Sequence, residues 1–190
     1  AAQVSEGQLE ACSTLLLQME VPRAEIETLI DRARSLGART ILNLAPAGEI
    51  SLEAIRSIDI LLANETEFAF VQTLLGGDAS APSNEAIQSV SRAMGTSVIV
   101  TLGANGVRAV HNGEVVHQPA LPIEPVDTVG AGDAFAGAFA AALDAGCSFG
   151  DALKYGAVAG ALTCTKTGAQ TALPDLETIQ TYLAALKAAE

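Results

Sequence analysis

Short apolar runs rich in Leu, Ile and Val alternate along this chain with longer stretches of helical period, and that alternation restricts the fold more than any other feature. Leu15-Leu16-Leu17 reads as a strand, Arg23 to Leu36 as an amphipathic helix ending at Gly37, and Thr40 to Leu44 as the next strand. The rhythm repeats with a strand over Ile58 to Leu62, a helix opening near Asn64, a helix over Asn84 to Ala93 and a β-branched strand over Ser97 to Leu102. Such a pattern predicts an α/β fold with a mostly parallel sheet flanked by helices. The Gly- and Ser-rich stretch from Gly76 to Ser83 reads as a loop, and Asn112-Gly113 between Val-rich runs as a β-hairpin turn. Helices are expected to begin at Gly132, Ser148 and Asp175. In open α/β sheets ligands bind beyond the carboxyl ends of the strands. Leu44-Ala45-Pro46, Asn64, Leu102-Gly103 and the Gly130-Ala131-Gly132-Asp133 turn are expected at such ends.

The run Asp127-Thr128-Val129-Gly130-Ala131-Gly132-Asp133 leads from a loop into an Ala-rich helix. At a helix start the first N–H groups have no intrahelical partner, and the aligned peptide dipoles favour an anion there. Gly130, Ala131 and Gly132 keep side chains clear, so a phosphate can reach those donors. Asp133 beside bound phosphate makes sense as the group that attracts a hydroxyl and takes its proton during attack. Asp133 as an ordinary helix cap is the structural alternative. Two other phosphate motifs are excluded: no Gly-x-x-x-x-Gly-Lys-Ser/Thr string occurs, and a dinucleotide fingerprint would need a third Gly where Phe135 stands.

Composition narrows the partners. With 22 acidic against 10 basic residues the formal charge is −12, which repels nucleic acid and anionic membranes and tolerates a small neutral substrate. The Lys and Arg residues are scattered, which disfavours a polyanionic substrate. No apolar stretch reaches bilayer length; Ala134 to Leu143 fits a buried helix instead. Cys12, Cys147 and Cys164 form no Cys-x-x-Cys pair and read as buried small hydrophobes. His111 and His117 read as solvent-facing positions of the hairpin rather than metal ligands.

Read together, Leu17-Gln18-Met19-Glu20, Asn43-Leu44-Ala45-Pro46-Ala47, Asn64-Glu65-Thr66-Glu67, Thr101-Leu102-Gly103-Ala104-Asn105-Gly106, the Gly-Ala-Gly-Asp run and Lys166-Thr167-Gly168-Ala169-Gln170 stand in the order found in one family. The chain resembles the ribokinase family of carbohydrate kinases, also called PfkB. The resemblance implies a ribokinase-like, Rossmann-like sheet, with residues 1–190 as the C-terminal portion of a single kinase domain whose sugar-binding N-terminal region and β-sheet lid lie outside this sequence. It implies a cytoplasmic ATP-dependent sugar kinase, with D-ribose as the expected acceptor. Fructose, fructose phosphate, adenosine or a pseudonucleoside, or a fragment with only a binding role, stay open as alternatives. It also implies a homodimer of the full-length protein through the lid.

Site roles follow from the same resemblance, residue by residue. Asp133 is expected as general base, with Gly130, Ala131 and Gly132 as anion hole. Asn64 and Glu67 match the segment that organises Mg2+ and phosphate, although the same spacing suits a capping box. Thr101, Gly103, Gly106 and Gly132 are expected on the nucleotide, and Ala157 by the adenine, where some members of the family carry a polar residue. Glu20 matches a sugar-contacting carboxylate. Asp127, with backbone oxygens of Val129, Thr165 and Gly168, resembles a K+ site; Asp127 as a plain turn cap is the alternative.

Overall fold

The computed structural model describes the backbone of residues 1–189 and the side chains of residues 1–186. Helices and strands run in the order α1 (Glu6–Glu10), β1 (Thr14–Leu17), α2 (Arg23–Ser35), β2 (Arg39–Asn43), α3 (Leu52–Arg56), β3 (Ile60–Asn64), α4 (Glu65–Leu74), α5 (Asn84–Met94) and β4 (Ser97–Thr101). A 3-10 turn at Gly103–Asn105 leads to β5 (Val107–His111) and β6 (Glu114–Gln118), then α6 (Ala131–Asp144), α7 (Phe149–Thr163) and α8 (Leu176–Ala189). The six strands form one sheet in sequence order, and β1 to β4 pair in parallel. The two-residue connection Asn112-Gly113, with both residues at positive φ, is one that only antiparallel neighbours can make. The alternation in the sequence therefore translates into a mixed sheet whose parallel part comes first.

Two units are distinguishable. The first comprises Ala1–Leu102 and Arg108–Val116. Its core takes one face of the parallel strands, through Leu42, Leu44, Leu61, Ala63, Val98 and Val100. Ile26 and Ile30 of α2, Phe68 and Val71 of α4, and Ile87, Val90 and Met94 of α5 pack onto it. Phe68 is fully buried, a contribution of about 2–3 kcal/mol from area alone. Because side chains alternate along a strand, Asn43, Asn64 and Thr101 point to the other face.

The chain from His117 onward, with Gly103–Val107, forms the second unit. Here α7 crosses closely over α6, since Gly156 and Gly160 put no Cβ where the Phe135 ring and the Ala131 carbonyl lie. Phe135 stacks on Phe139, which meets Phe149 edge-on.

Local chemistry sets the element ends. Side-chain caps start α1 (Ser5), α3 (Ser51), α4 (Asn64), α5 (Ser83) and α7 (Ser148), and Gly95 at φ 71° ends α5. The third strand begins at Ile60, two residues later than the apolar run suggests. Asp59 accounts for the delay: its carboxylate accepts the N–H and hydroxyl of Thr40, which turns Ile58 and Asp59 into the approach to the strand. The five-residue helices α1 and α3 have no counterpart in the sequence reading. His111 is also less exposed than expected. Its ring lies half-buried beside β4, with Nδ1 2.9 Å from the Ser97 hydroxyl, whereas His117 is exposed. All three cysteines are half-buried and unpaired.

Candidate active site

Helix α6 differs from the capped helices. Its N-cap is Gly130, at φ 80°, and no side chain caps it. A Cβ at Gly130 would lie 3.0 Å from the Ala169 carbonyl oxygen, so the position needs glycine both for its φ and for the approach of the 168–170 segment. The Ala131 N–H reaches back to the Thr128 carbonyl at 3.3 Å, and the Ala134 N–H takes the Gly130 carbonyl. Among the described residues, the N–H groups of Gly130, Gly132 and Asp133 have no protein partner. The donors available to an anion thus include that of Asp133 itself, which residue-type reasoning missed, and the Ala131 donor is already engaged. Asp133 is exposed at the first turn of α6. From it a cleft of about 530 Å³ runs along Gly137, Ala138 and Ala141 to Cys147, with Tyr155 of α7 and Leu176 and Ile179 of α8 opposite.

The loop before α6 is tied down by Asp127. Its Oδ1 accepts the Val129 N–H and its Oδ2 the Gly168 N–H, both at 3.1 Å. These two backbone donors hold the Asp127 carboxyl below the usual carboxylate range. Val126 and Asp127 in turn donate their N–H groups to the Cys164 carbonyl. The carbonyls of Val129, Thr165 and Gly168 receive no hydrogen bond from the described residues. A carboxylate with one free carbonyl oxygen two residues on, at Val129, and two more on the 165–168 segment whose Gly168 N–H it accepts is a donor set suited to a hard monovalent cation. Ala157 lies half-buried on α7.

In the first unit, the carboxyl ends of β2, β3 and β4 carry Asn43, Asn64 and Thr101. Asn64 and Thr101 are partners in register. Asn64 caps α4 and Glu67 completes the box: Asn64 N–H donates to Glu67 Oε2 at 2.7 Å, and Glu67 N–H to Asn64 Oδ1 at 2.9 Å. Glu67 is only 6% exposed, and burial raises its carboxyl above the ordinary value against the opposing effect of those hydrogen bonds. The Thr101 hydroxyl lies 3.5 Å from the Ala63 carbonyl, too far for a strong bond. Glu20 is exposed just beyond β1, where the Met19 N–H still reaches the Ala45 carbonyl.

The two glycines of the turn after β4 have different reasons to be glycine. Gly103 is exposed with open space around it, at φ 54°. Gly106 is buried, and a Cβ there would fall 2.2 Å from the Gln118 carbonyl oxygen. Its glycine is explained by a φ of 81° together with the close crossing of backbone, so of the two only Gly103 leaves its face free for a ligand.

Residues 1–176 match the model of the pfkB family carbohydrate kinases. The chain belongs to that family. Among curated pfkB relatives, the ribokinase of Haemophilus influenzae is 35% identical over 174 residues, covering 90% of this chain and 55% of the relative. A crystal structure of Thermotoga maritima ribokinase superposes with TM-score 0.86 at 32% identity, over 96% of this chain and 60% of that one. Arabidopsis thaliana ribokinase complexed with ribose and ATP gives TM-score 0.84 at 30% identity, over 94% and 58% of the two chains. The chain spans little more than half the length of the curated pfkB proteins it matches. Among the described residues, no helix is long and apolar enough to cross a membrane.

Proposed function

We propose that the full-length protein is an ATP-dependent phosphotransferase that moves the γ-phosphoryl group of ATP to the primary hydroxyl of a pentose, D-ribose first among acceptors. The observation that carries this reading is the uncapped start of α6, with three unpaired N–H groups beside an exposed carboxylate. The hydroxyl oxygen attacks the γ-phosphorus, its proton passes to the Asp133 carboxylate, and the bond from phosphorus to the bridging oxygen breaks to release ADP. The N–H groups of Gly130, Gly132 and Asp133 answer the charge on the transferring oxygens, where aimed donors contribute most.

In this reading Thr101 and Gly103 attend the nucleotide and Ala157 the base, with Glu20 accepting from sugar hydroxyls. The donor set also fits the two cations expected of a kinase of this kind. Asn64 and Glu67 supply oxygen atoms for Mg2+, which binds phosphates and keeps several waters. No cluster of three or more His, Cys, Asp or Glu side chains able to hold a metal occurs among the described residues. Bound there, Mg2+ would neutralise phosphate charge. Asp127 and the carbonyls of Val129, Thr165 and Gly168 would hold K+ and shape the anion hole from behind.

The test is sugar-dependent ADP production by the full-length protein, with ribose against 2-deoxyribose, fructose, fructose phosphate and nucleosides. Preference for ribose is expected, and poor use of phosphorylated sugars follows from the scattered basic residues. Absence of turnover with every acceptor tested would remove the reading.

A further inference from the structure

Asn43 stands apart among the polar residues of the first unit. It ends β2, is 7% exposed, and makes no side-chain hydrogen bond to any described residue. Burying an amide without a partner costs about 1–3 kcal/mol in proteins, so a group of this kind calls for an explanation. No side-chain nitrogen or oxygen fully sealed from solvent lacks a partner among the described residues. The Asn43 amide is therefore not sealed: the residue is packed in, and its polar tip still opens to water.

The strand register says where that tip lies. Asn43 pairs with Leu62, two residues before Asn64 on the neighbouring strand, and both asparagines point to the same face. Strands about 4.8 Å apart and a two-residue offset of about 6.6 Å put their Cα atoms roughly 8 Å from each other. Metal–oxygen distances of about 2.1 Å and water hydrogen bonds of about 2.8 Å let groups up to roughly 10 Å apart serve one hydrated Mg2+. A neutral amide suits this setting. Its Oδ1 can accept from a metal-bound water while its Nδ2 donates to a phosphate oxygen, which a carboxylate cannot do.

Resting on the kinase reading above, we infer that Asn43 is a further binding residue of the hydrated divalent cation and its phosphates, acting with Asn64 and Glu67 from the end of the adjacent strand. In the sequence, Asn43 opens the Asn-Leu-Ala-Pro-Ala segment shared with the ribokinase family, and that match carries no role for its side chain.

Titration of Mn2+ by electron paramagnetic resonance in the full-length protein, with a non-hydrolysable ATP analogue, tests this without turnover. Asn43→Leu is expected to weaken Mn2+ binding about tenfold, the usual effect of removing a group that orients metal-bound water. Asn43→Asp keeps an acceptor and should bind at least as tightly as wild type. Urea unfolding of Asn43→Leu should show no loss of stability, because the amide it replaces makes no protein hydrogen bond. Wild-type Mn2+ affinity in Asn43→Leu together with weakened affinity in Glu67→Gln would overturn the inference and leave the kinase reading standing. Wild-type affinity in both variants would overturn the inference and the Mg2+ role of Glu67 with it, while the kinase reading is judged separately by sugar-dependent ADP production. If Asn43→Leu does not fold, Asn43→Ala carries the same expectation for Mn2+ and the same refutation.

Discussion

Asn64 and Glu67 cap each other, each giving its backbone N–H to the other's side-chain oxygen. The pair thus has a structural task whatever it does for phosphate, and the two contributions separate by substitution. Asn64→Ala should cost about 1 kcal/mol of stability, the usual loss of a side-chain cap, read from the urea midpoint. Glu67→Gln keeps the box, because glutamine serves there too, and it removes a charge that burial disfavours. Its stability should be equal to or slightly above wild type near neutral pH, so any change in its Mg2+ requirement reports on the cation and not on folding.

Asp133→Asn should lower kcat by about 10²–10⁴-fold, the range for loss of a general base, with nucleotide affinity nearly unchanged. Single-turnover assays beside an equilibrium nucleotide titration measure both. Unchanged turnover would take the base role away from Asp133.

Asp127→Asn replaces one carboxylate oxygen with an N–H donor, so one of the two backbone donors from Val129 and Gly168 is left facing a donor. Potassium activation should disappear, with basal turnover in a bulky organic cation as low as that of wild type under the same conditions. In wild type the Asp127 carboxyl is held below its ordinary value, so its contribution is complete above that value and fades as pH falls through the lower folded one. Hydrogen exchange at Gly168, followed towards acid, would report this loss locally.

His111 titrates with the same sign for a different reason. Burial lowers its pKa below 6.5, so the folded protein resists the proton that the unfolded chain accepts. Its stabilising contribution is full above 6.5 and declines as pH falls from there towards the lower folded value. Nε2 also lies 3.1 Å from Asn112 Nδ2, a contact that a protonated ring cannot accept. His111→Gln should flatten the pH dependence of stability in that window, and a profile identical to wild type would dismiss His111 as its source.

The paired glycines give a last test. Gly103→Ala meets only the cost of a positive φ, about 1–2 kcal/mol. Gly106→Ala drives a methyl into the Gln118 carbonyl and should destabilise by distinctly more, in thermal or urea unfolding. Nucleotide affinity of a folded Gly103→Ala should fall, because the added methyl occupies the open side of the turn.

The parallel strands were legible because short apolar runs bounded by turn residues leave few alternatives, and the start of α6 because Gly-Ala-Gly removes side chains where phosphate must approach. The short helices α1 and α3 were not, since five residues hold too little of a 3.6-residue period to register. The delayed start of β3 depends on Asp59 reaching Thr40 across 19 residues, a contact invisible to any local pattern. Residue type pointed to the anion hole, but which donors are unpaired follows from the backbone, and so did the choice between Gly103 and Gly106. The half-buried setting of His111 depends on Ser97, 14 residues away on β4, a contact that the hairpin's own residues do not signal.

The bond between Asp127 and Gly168 joins positions 41 residues apart, so the chain leaves and rejoins the α6–α7 pair at nearly one place. Anchored at that end, the helical hairpin is free to vary at the other, around Ala145–Cys147, where Gly146 at φ 84° already makes the turn. Extra residues there would extend a loop whose added closure cost grows only slowly with length. Length variation among homologues, and a site for inserting a tag or a second domain, are best accommodated at that distal turn, with the register of Asp133 left undisturbed.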